Sequence, residues 1–402
     1  MASKRQVRKA VKAIKKTSPT ALFLVVVLIA LAIGGYYVYT NYFKKDGPIV
    51  DAKGELSFHF MMLGNENAGD CVYIKAGDND ILIDGGSRAN SLDDIQNYLD
   101  DYVTDNTLEY VIVTHSDQDH IACFSASESI FDVYKCEVII DFPLTNKSLT
   151  TASGGQSLYA KYLANRDEEV KTDGAKHFSA LESYNESKEG AQREYSLTED
   201  GNVKMEILYN YFYDHKASDE NDYSVCVMFY HGDRQFLFTG DLEEKGEEYL
   251  AEKYDFTKVE LFKAGHHGSP TSSTDTLLKE IQPEICVVCC CAGSVEYSDY
   301  LPNTFPSKEF YDRMSVYTSR IYAPMTVNIV VNAENPTTTY KGMTITNYNN
   351  GKELKPLHGN IVVISKGGEK VYVECSAEQK VLKDTEWFKW MSSMWVNSPV
   401  AD

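Results

Sequence analysis

The first 45 residues of this 402-residue chain contain no acidic side chain, and the remainder is short of basic ones. Lys4, Arg5, Arg8, Lys9, Lys12, Lys15, Lys16, Lys44 and Lys45 give the head +9, so of a whole-chain charge of −20 the rest carries −29. A body this acidic repels a bare polyanion unless bound metal or a local basic patch offsets its field. No repeat at a solenoid period is visible, which excludes a stacked array. Tryptophan is limited to three residues, all in the tail. The nine cysteines, an odd number, build no disulfide scaffold. Most lie in apolar runs such as Cys71-Val72-Tyr73-Ile74 and Cys226-Val227-Met228-Phe229, where cysteine acts as a small buried hydrophobe. Cys286 and Cys289 spell C-x-x-C, yet 281–292 reads as a buried strand. A period of two places them on opposite faces, so they cannot grip one ion.

Hydrophobic residues make up 43% and charged residues 24%, enough for a sizeable core in one large domain or two ordinary ones. Ala21–Thr40 carries no charge. At ~1.5 Å per residue it spans about 30 Å, the thickness of a hydrocarbon layer. Basic residues crowd its N-terminal side and only Lys44 and Lys45 follow, which places the N-terminus in the cytoplasm and the body outside. A cleaved signal peptide would show a shorter run and a small-x-small site; a long run ending in Tyr36, Tyr37 and Tyr39 favours an uncleaved anchor. The expected organisation is a basic cytoplasmic head (1–20), a transmembrane anchor (21–40), a linker (41–54), a main domain (55–375) and a Trp-rich amphipathic C-terminal helix (376–402). The expected setting is the cell membrane, crossed once, with the main domain extracytoplasmic.

Within the main domain, strand-like runs at 57–63, 71–75, 80–84, 110–114, 204–209, 224–230, 235–239, 259–263, 360–365 and 370–374 alternate with helical patterns at 91–102, 242–254 and 274–281. Two polar stretches, 141–200 and 328–357, read as surface excursions. In the tail, Trp387, Trp390, Met391, Met394 and Trp395 fall on one helical stripe, which either docks on the domain or lies on a membrane interface or a partner.

The chemistry starts where the strand Tyr110–Val113 stops. His115-Ser116-Asp117-Gln118-Asp119-His120 sets four potential ligands within six residues. Imidazole with carboxylate suits zinc, manganese or iron, with zinc and manganese the first choices. A solvated polar turn explains two His and two Asp in this packing poorly. Two further apolar strands end in Gly240-Asp241 and Gly265-His266-His267-Gly268. Three strands thus deliver polar groups at their C-terminal ends, where ligands gather in layered α/β proteins. Ser269, Thr271 and Ser272 either donate to a phosphate or simply form a turn before the next helix.

On Ile81-Leu82-Ile83-Asp84-Gly85-Gly86, the His-x-Asp-x-Asp-His run at 115–120, Phe238-Thr239-Gly240-Asp241 and Lys263-Ala264-Gly265-His266-His267-Gly268-Ser269, the chain resembles the metallo-β-lactamase superfamily. Within it, Asp117 in place of the usual His is similar to the hydrolase domain of ComEC-type DNA-uptake competence proteins. The resemblance covers roughly Leu56 to Cys375. It implies an αββα sandwich with a dinuclear site at the edge of two sheets, holding one or two divalent ions, zinc or manganese. Candidate metal ligands are His115, Asp117, Asp119, His120, Asp241, His266 and His267; candidate catalytic residues are Asp119, His266 and His267. The family's His before the Gly-Asp motif has no obvious counterpart, with Asn221, Asp222 or His215 standing nearby. The family's Tyr-Gly-His-Pro segment corresponds to Asn303-Thr304-Phe305-Pro306, with Phe305 in the place of the His. One of the His266–His267 pair is therefore expected to serve as a ligand and the other as a proton donor.

These readings converge on metal-assisted hydrolysis, with Asp119 orienting the attacking water and Asp241 bridging. A phosphate-containing substrate, including nucleic acid, is the first expectation. A hydrolase of another ester, lactone or amide, and a non-catalytic binding module on the same fold, are the alternatives.

Overall fold

Alternation along strand β1 (Leu56–Phe60) puts Phe58 and Phe60 on one face and Ser57 and His59 on the other. Phe58 meets Phe229, Phe236 and Phe238 of a second sheet at ring-centroid distances of 5.5, 4.8 and 5.5 Å. On the opposite face, the His59 ring nitrogens lie 2.8 Å from Ser57 Oγ and 2.8 Å from Tyr98 Oη of the helix Leu92–Leu99. One strand thus shows the layering: sheet against sheet inside, helix outside. The computed structural model describes residues 56–297, 303–327, 337–340, 343–346, 354–368 and 370–396. The head, the anchor segment 21–40 and the linker lie outside these. Among the described residues no helix is long and apolar enough to cross a membrane.

The first sheet runs β20 (Tyr372–Cys375), β19 (Ile361–Ser365), β1, β2 (Val72–Ala76), β3 (Asn79–Ile83), β4 (Thr107–Val113), β5 (Lys135–Asp141) and β6 (Lys176–Ser179). The second runs β14 (Ile321–Tyr322), β12 (Ile285–Val287), β11 (Val259–Lys263), β10 (Arg234–Phe238), β9 (Cys226–His231), β8 (Val203–Leu208) and β7 (Glu194–Ser196). A small sheet joins β13 (Cys291–Ala292), β15 (Met325–Val327) and β18 (Leu354–Pro356), and β16 (Thr337–Tyr340) pairs with β17 (Met343–Thr346). Helices Glu244–Lys253, Asp275–Ile281, Lys308–Met314 and Glu386–Val396 bury Leu250, Leu277, Phe310 and Met391 against Leu237 and Phe262 on the outer face of the second sheet. The expected αββα sandwich is the fold. Cys286 faces that outer cluster and Cys289 the inner one, as the period of two required.

In the first sheet β3 to β6 are parallel, and in the second β10, β11, β12 and β14 are parallel. Their C-terminal ends gather the loops that carry the chemistry.

The stretch 141–200 is not the surface excursion its composition predicts. It holds the helix Leu158–Thr172, edge strands β6 and β7, and the helix Ala180–Asn185. Polar contacts replace the missing apolar periodicity. The buried carboxylate of Asp141 accepts from Tyr162 Oη at 2.8 Å and Arg166 Nη1 at 2.7 Å, and lies 2.8 Å from His177 Nε2. Burial alone would raise its pKa, but His177 and Arg166 outweigh that and hold the group below the ordinary range. The tail stripe packs on the domain: Phe388 and Trp395 lie 4.4 and 5.8 Å from Tyr311, and Trp387, Met391 and Trp395 are buried.

Candidate metal centre

Strand β4 ends at Val113, and the turn after it is tied to the loop after β3. Thr114 donates its backbone N–H to Asp84 Oδ1 at 2.8 Å and its hydroxyl to Oδ2 at 2.8 Å. Asp117 then opens the short helix Gln118–Ile121, which buries Asp119 and His120. After β10 the chain turns at Gly240, with φ +55°. A Cβ there would stand 2.8 Å from Ser224 Oγ and 3.0 Å from Thr114 Cβ, so only glycine brings these loops together. After β11, His266 and His267 both take left-handed backbone, φ 44° and 54°. Such a conformation costs roughly 1–2 kcal/mol per non-glycine residue and is kept only where the surroundings enforce it.

The surroundings here are polar and specific. Three imidazoles turn Nε2 inward and have Nδ1 held from outside. His120 Nδ1 lies 2.7 Å from Asp84 Oδ2, while its Nε2 lies 3.0 Å from Asp241 Oδ2. His267 Nδ1 donates to the Cys289 carbonyl at 2.9 Å. Its Nε2 stands 2.9 Å from Asp241 Oδ2 and 3.3 Å from Asp119 Oδ2, within ion-pair distance but not aligned as a hydrogen bond. His115 Nδ1 lies 3.1 Å from Thr114 Oγ1. Its Nε2 is buried without a hydrogen-bond partner, 3.7 Å from Asp117 Oδ2. Fixing one ring nitrogen so that the other is presented is how proteins prepare imidazole for a metal.

The carboxylates are prepared the same way. Asp241 turns Oδ2 toward both imidazoles and gives Oδ1 to the buried ammonium of Lys263 at 3.1 Å. Lys263 also pairs with Asp70 and donates to the Gly240 carbonyl at 2.9 Å. Asp117 gives Oδ1 to Lys147, and Asp119 Oδ2 accepts from Tyr297 Oη at 2.7 Å.

The electrostatics describe a centre short of cations. Burial opposes charge on His120 and His267, yet Asp241 with Asp84 in one case and Asp70 in the other pushes both well above the ordinary imidazole range. Asp241 is held well below the carboxylate range, since His120, His267 and Lys263 overcome its burial. His115, buried and beside His120, is pushed down to about 3, which leaves its ring neutral and its Nε2 lone pair available. Asp119, His120, Asp241 and His267 each offer an atom within 4.8 Å of the others. Residue types, burial and the orphaned Nε2 of His115 fit a divalent metal.

Of the seven candidate ligands, Asp119, His120, Asp241 and His267 come together, the His115 ring lies 4.1 Å from that of His120, and Asp117 lies beside His115. His266 does not join them. Its Nδ1 lies 3.2 Å from Glu243 Oε1 and 3.2 Å from Thr271 Oγ1, at the rim, with its ring 5.7 Å from Phe305. Phe305 lies 6.2 Å from His267. Asn221 and Asp222 engage Glu243 instead of the centre, and His215 stacks on Tyr211 at 3.9 Å. His115 and Asp117 therefore share their half of the site with none of these three.

Several residues escaped the sequence reading. Asp84 and Lys263 lay inside quoted motifs without a role, although a lysine ending the apolar run Val259–Lys263 was a visible signal. Glu247 and Arg313 gave no signal. Glu247 accepts from Ser273 N, Thr274 N and Thr274 Oγ1, and Arg313 donates to the carbonyls of Pro270, Ser272 and Ser273. Together they clamp the loop that follows His267 from both sides. Burial pushes the Glu247 carboxyl up to about 7 despite these donors.

The sequence profile of the metallo-beta-lactamase superfamily matches residues 64–170 and 219–292, which contain every strand-end motif above. Among curated proteins, the chain is similar to Recombination protein 2 of Haemophilus influenzae, with 28% identity over 102 residues, 25% of this chain and 12% of that one. It is similar to Competence protein ComA of Neisseria gonorrhoeae, with 40% identity over 73 residues, 18% of this chain and 11% of that one. It is also similar to ComE operon protein 3 of Bacillus subtilis, with 28% identity over 71 residues, 18% of this chain and 9% of that one. The matches thus span 12% or less of these relatives' length.

The tie between Asp84 and His120 generates a prediction. Asp84→Asn keeps the shape but loses the charge that fixes the His120 tautomer. Zinc affinity, measured by competition with a chromogenic chelator, is expected to fall by about 10–100-fold while the fold, followed by circular dichroism, is retained. Unchanged affinity would mean that Nδ1 of His120 needs no anionic support.

Proposed function

Since the metallo-β-lactamase superfamily profile matches residues 64–170 and 219–292, we propose that the chain is a membrane-anchored, extracytoplasmic phosphodiesterase whose centre takes two divalent cations, zinc or manganese. The observation that carries this reading is the buried cluster of Asp119, His120, Asp241 and His267, each offering an atom within 4.8 Å of the others, with the unpartnered Nε2 of His115 and Asp117 beside it. Asp119, His120, Asp241 and His267 would hold one ion, and His115 and Asp117, with Asp241 shared, the other. Carboxylates outnumber cations around the centre, with Asp70, Asp84, Asp117, Asp119 and Asp241 against Lys147 and Lys263, which suits divalent cations.

Divalent cations there supply Lewis-acid activation of water. The chain's own groups do the rest. Asp119, with its outer side held by Tyr297, orients the nucleophile. His266, braced at the rim by Glu243 and Thr271, delivers a proton to the leaving oxygen. The names of the relatives refer to competence and recombination, which supports a nucleic-acid diester over another ester, lactone or amide. The uncharged run Ala21–Thr40 and the basic head before it support the anchor and its orientation.

A substrate panel checks the activity. With added zinc or manganese, phosphodiesters including single-stranded DNA are expected to be cleaved, and Asp241→Ala to fall to background with loss of bound metal. His266→Ala is expected to keep its metal and lose ~10²–10⁴ in turnover. Ester, lactone or amide cleavage without diester cleavage would overturn the substrate class, and a full-length chain that binds no metal would overturn the enzyme. For the topology, protease added to intact cells is expected to digest the main domain and spare Met1–Lys16. A protected main domain would contradict the orientation.

A further inference from the structure

Two donors stand at the mouth of the centre on the two aspartates of the His-x-Asp-x-Asp-His loop. Lys147 pairs with Asp117 from one side and Tyr297 donates to Asp119 from the other. Both come from loops pinned by an acid. On the first side, Glu220, 6% exposed, accepts from Thr145 Oγ1 at 2.6 Å and Asn146 N at 2.7 Å. Ser116, next to His115, lies 2.7 Å from Thr145, and Lys147 N donates to Thr145 Oγ1 at 2.9 Å. On the second side, Glu296 accepts from Ala68 N at 2.8 Å and Arg88 at 2.7 Å, and the Tyr297 ring rests 5.3 Å from Phe305.

The backbones are fixed, yet the side chains are open. Lys263, which balances Asp241, has 2% of its side chain exposed, whereas Lys147 has 41% and Tyr297 is 53% exposed. A lysine needed only for charge balance belongs inside, as Lys263 is. An ammonium has three donors, and Asp117 engages one. In a body of −29, a cation built into the mouth also offsets the field that an anionic substrate meets.

We propose that Lys147 forms the receptor for the anionic phosphoryl group of the substrate, supplying its charge and the ammonium donors that Asp117 leaves unused, while Tyr297 keeps its one hydroxyl proton on Asp119. The inference rests on the phosphodiesterase reading and deepens it: it says why the centre takes a phosphate and not a neutral ester.

The probe is inorganic phosphate, titrated calorimetrically into the zinc-loaded full chain, with zinc per chain measured in parallel. Wild type is expected to bind phosphate, and Lys147→Met to weaken it by about tenfold or more with zinc content unchanged. Lys147→Arg is expected to restore binding. Failure of wild type to bind phosphate would overturn the inference. So would wild-type affinity in Lys147→Met, or a loss of affinity that follows a loss of zinc. The underlying reading fails separately: Lys147-dependent phosphate binding without cleavage of any diester sinks the hydrolase and leaves the receptor. Diester cleavage with an unchanged KM in Lys147→Met does the reverse.

Discussion

The carboxylate of Asp241 is the point on which the centre depends. One oxygen faces both His120 and His267, and the other is held by the buried ammonium of Lys263. Its burial is complete, so it persists as an anion only because cationic groups surround it. Each neighbour is held in turn: His120 by Asp84, His267 by the Cys289 carbonyl, Lys263 by Asp70. The two sheets meet at this carboxylate. Asp84 and His120 follow strands of one sheet; Asp241, Lys263 and His267 belong to strand ends of the other.

That convergence explains features that fold energetics alone disfavour. Left-handed backbone at His266 and His267 is costly, and the loop beyond is clamped by Glu247 on its N–H groups and Arg313 on its carbonyls. A buried glutamate with a carboxyl pushed up to about 7 is likewise a poor choice for stability. Both are intelligible if the two histidines must occupy different places: His267 inside with its Nε2 on Asp241, His266 at the rim with Glu243.

The inner features of the site were legible in the sequence because they sit where apolar strands stop. Val111, Ile112 and Val113 before His115, Phe236 to Phe238 before Asp241, and Leu261 and Phe262 before His267 mark buried strands by alternation and run length, so the polar residue that follows is conspicuous. The residues that surround the ligands were not legible. Glu220, Lys147, Tyr297 and Arg313 reach the site from positions 27 to 193 residues away from His120 or His267, Arg313 from the helix Lys308–Met314, and their role depends on tertiary contact rather than on any local period. The region 141–200 was misread for a related reason. Its helix and edge strand are tied down by Asp141, Arg166 and His177, and polar ties leave no apolar periodicity to read.

The claim that three inward Nε2 atoms and an aspartate-rich shell form a metal centre is tested most directly by X-ray absorption at the zinc edge of the zinc-loaded full chain. The account predicts a first shell of nitrogen and oxygen only, at about 2.0–2.1 Å, with the outer-shell scattering of imidazole rings. Cys289, Cys290 and Cys291 lie buried in the strand region beside His267, so an alternative ligand set is at hand. A sulfur shell at about 2.3 Å, or a shell without imidazole, would contradict the account.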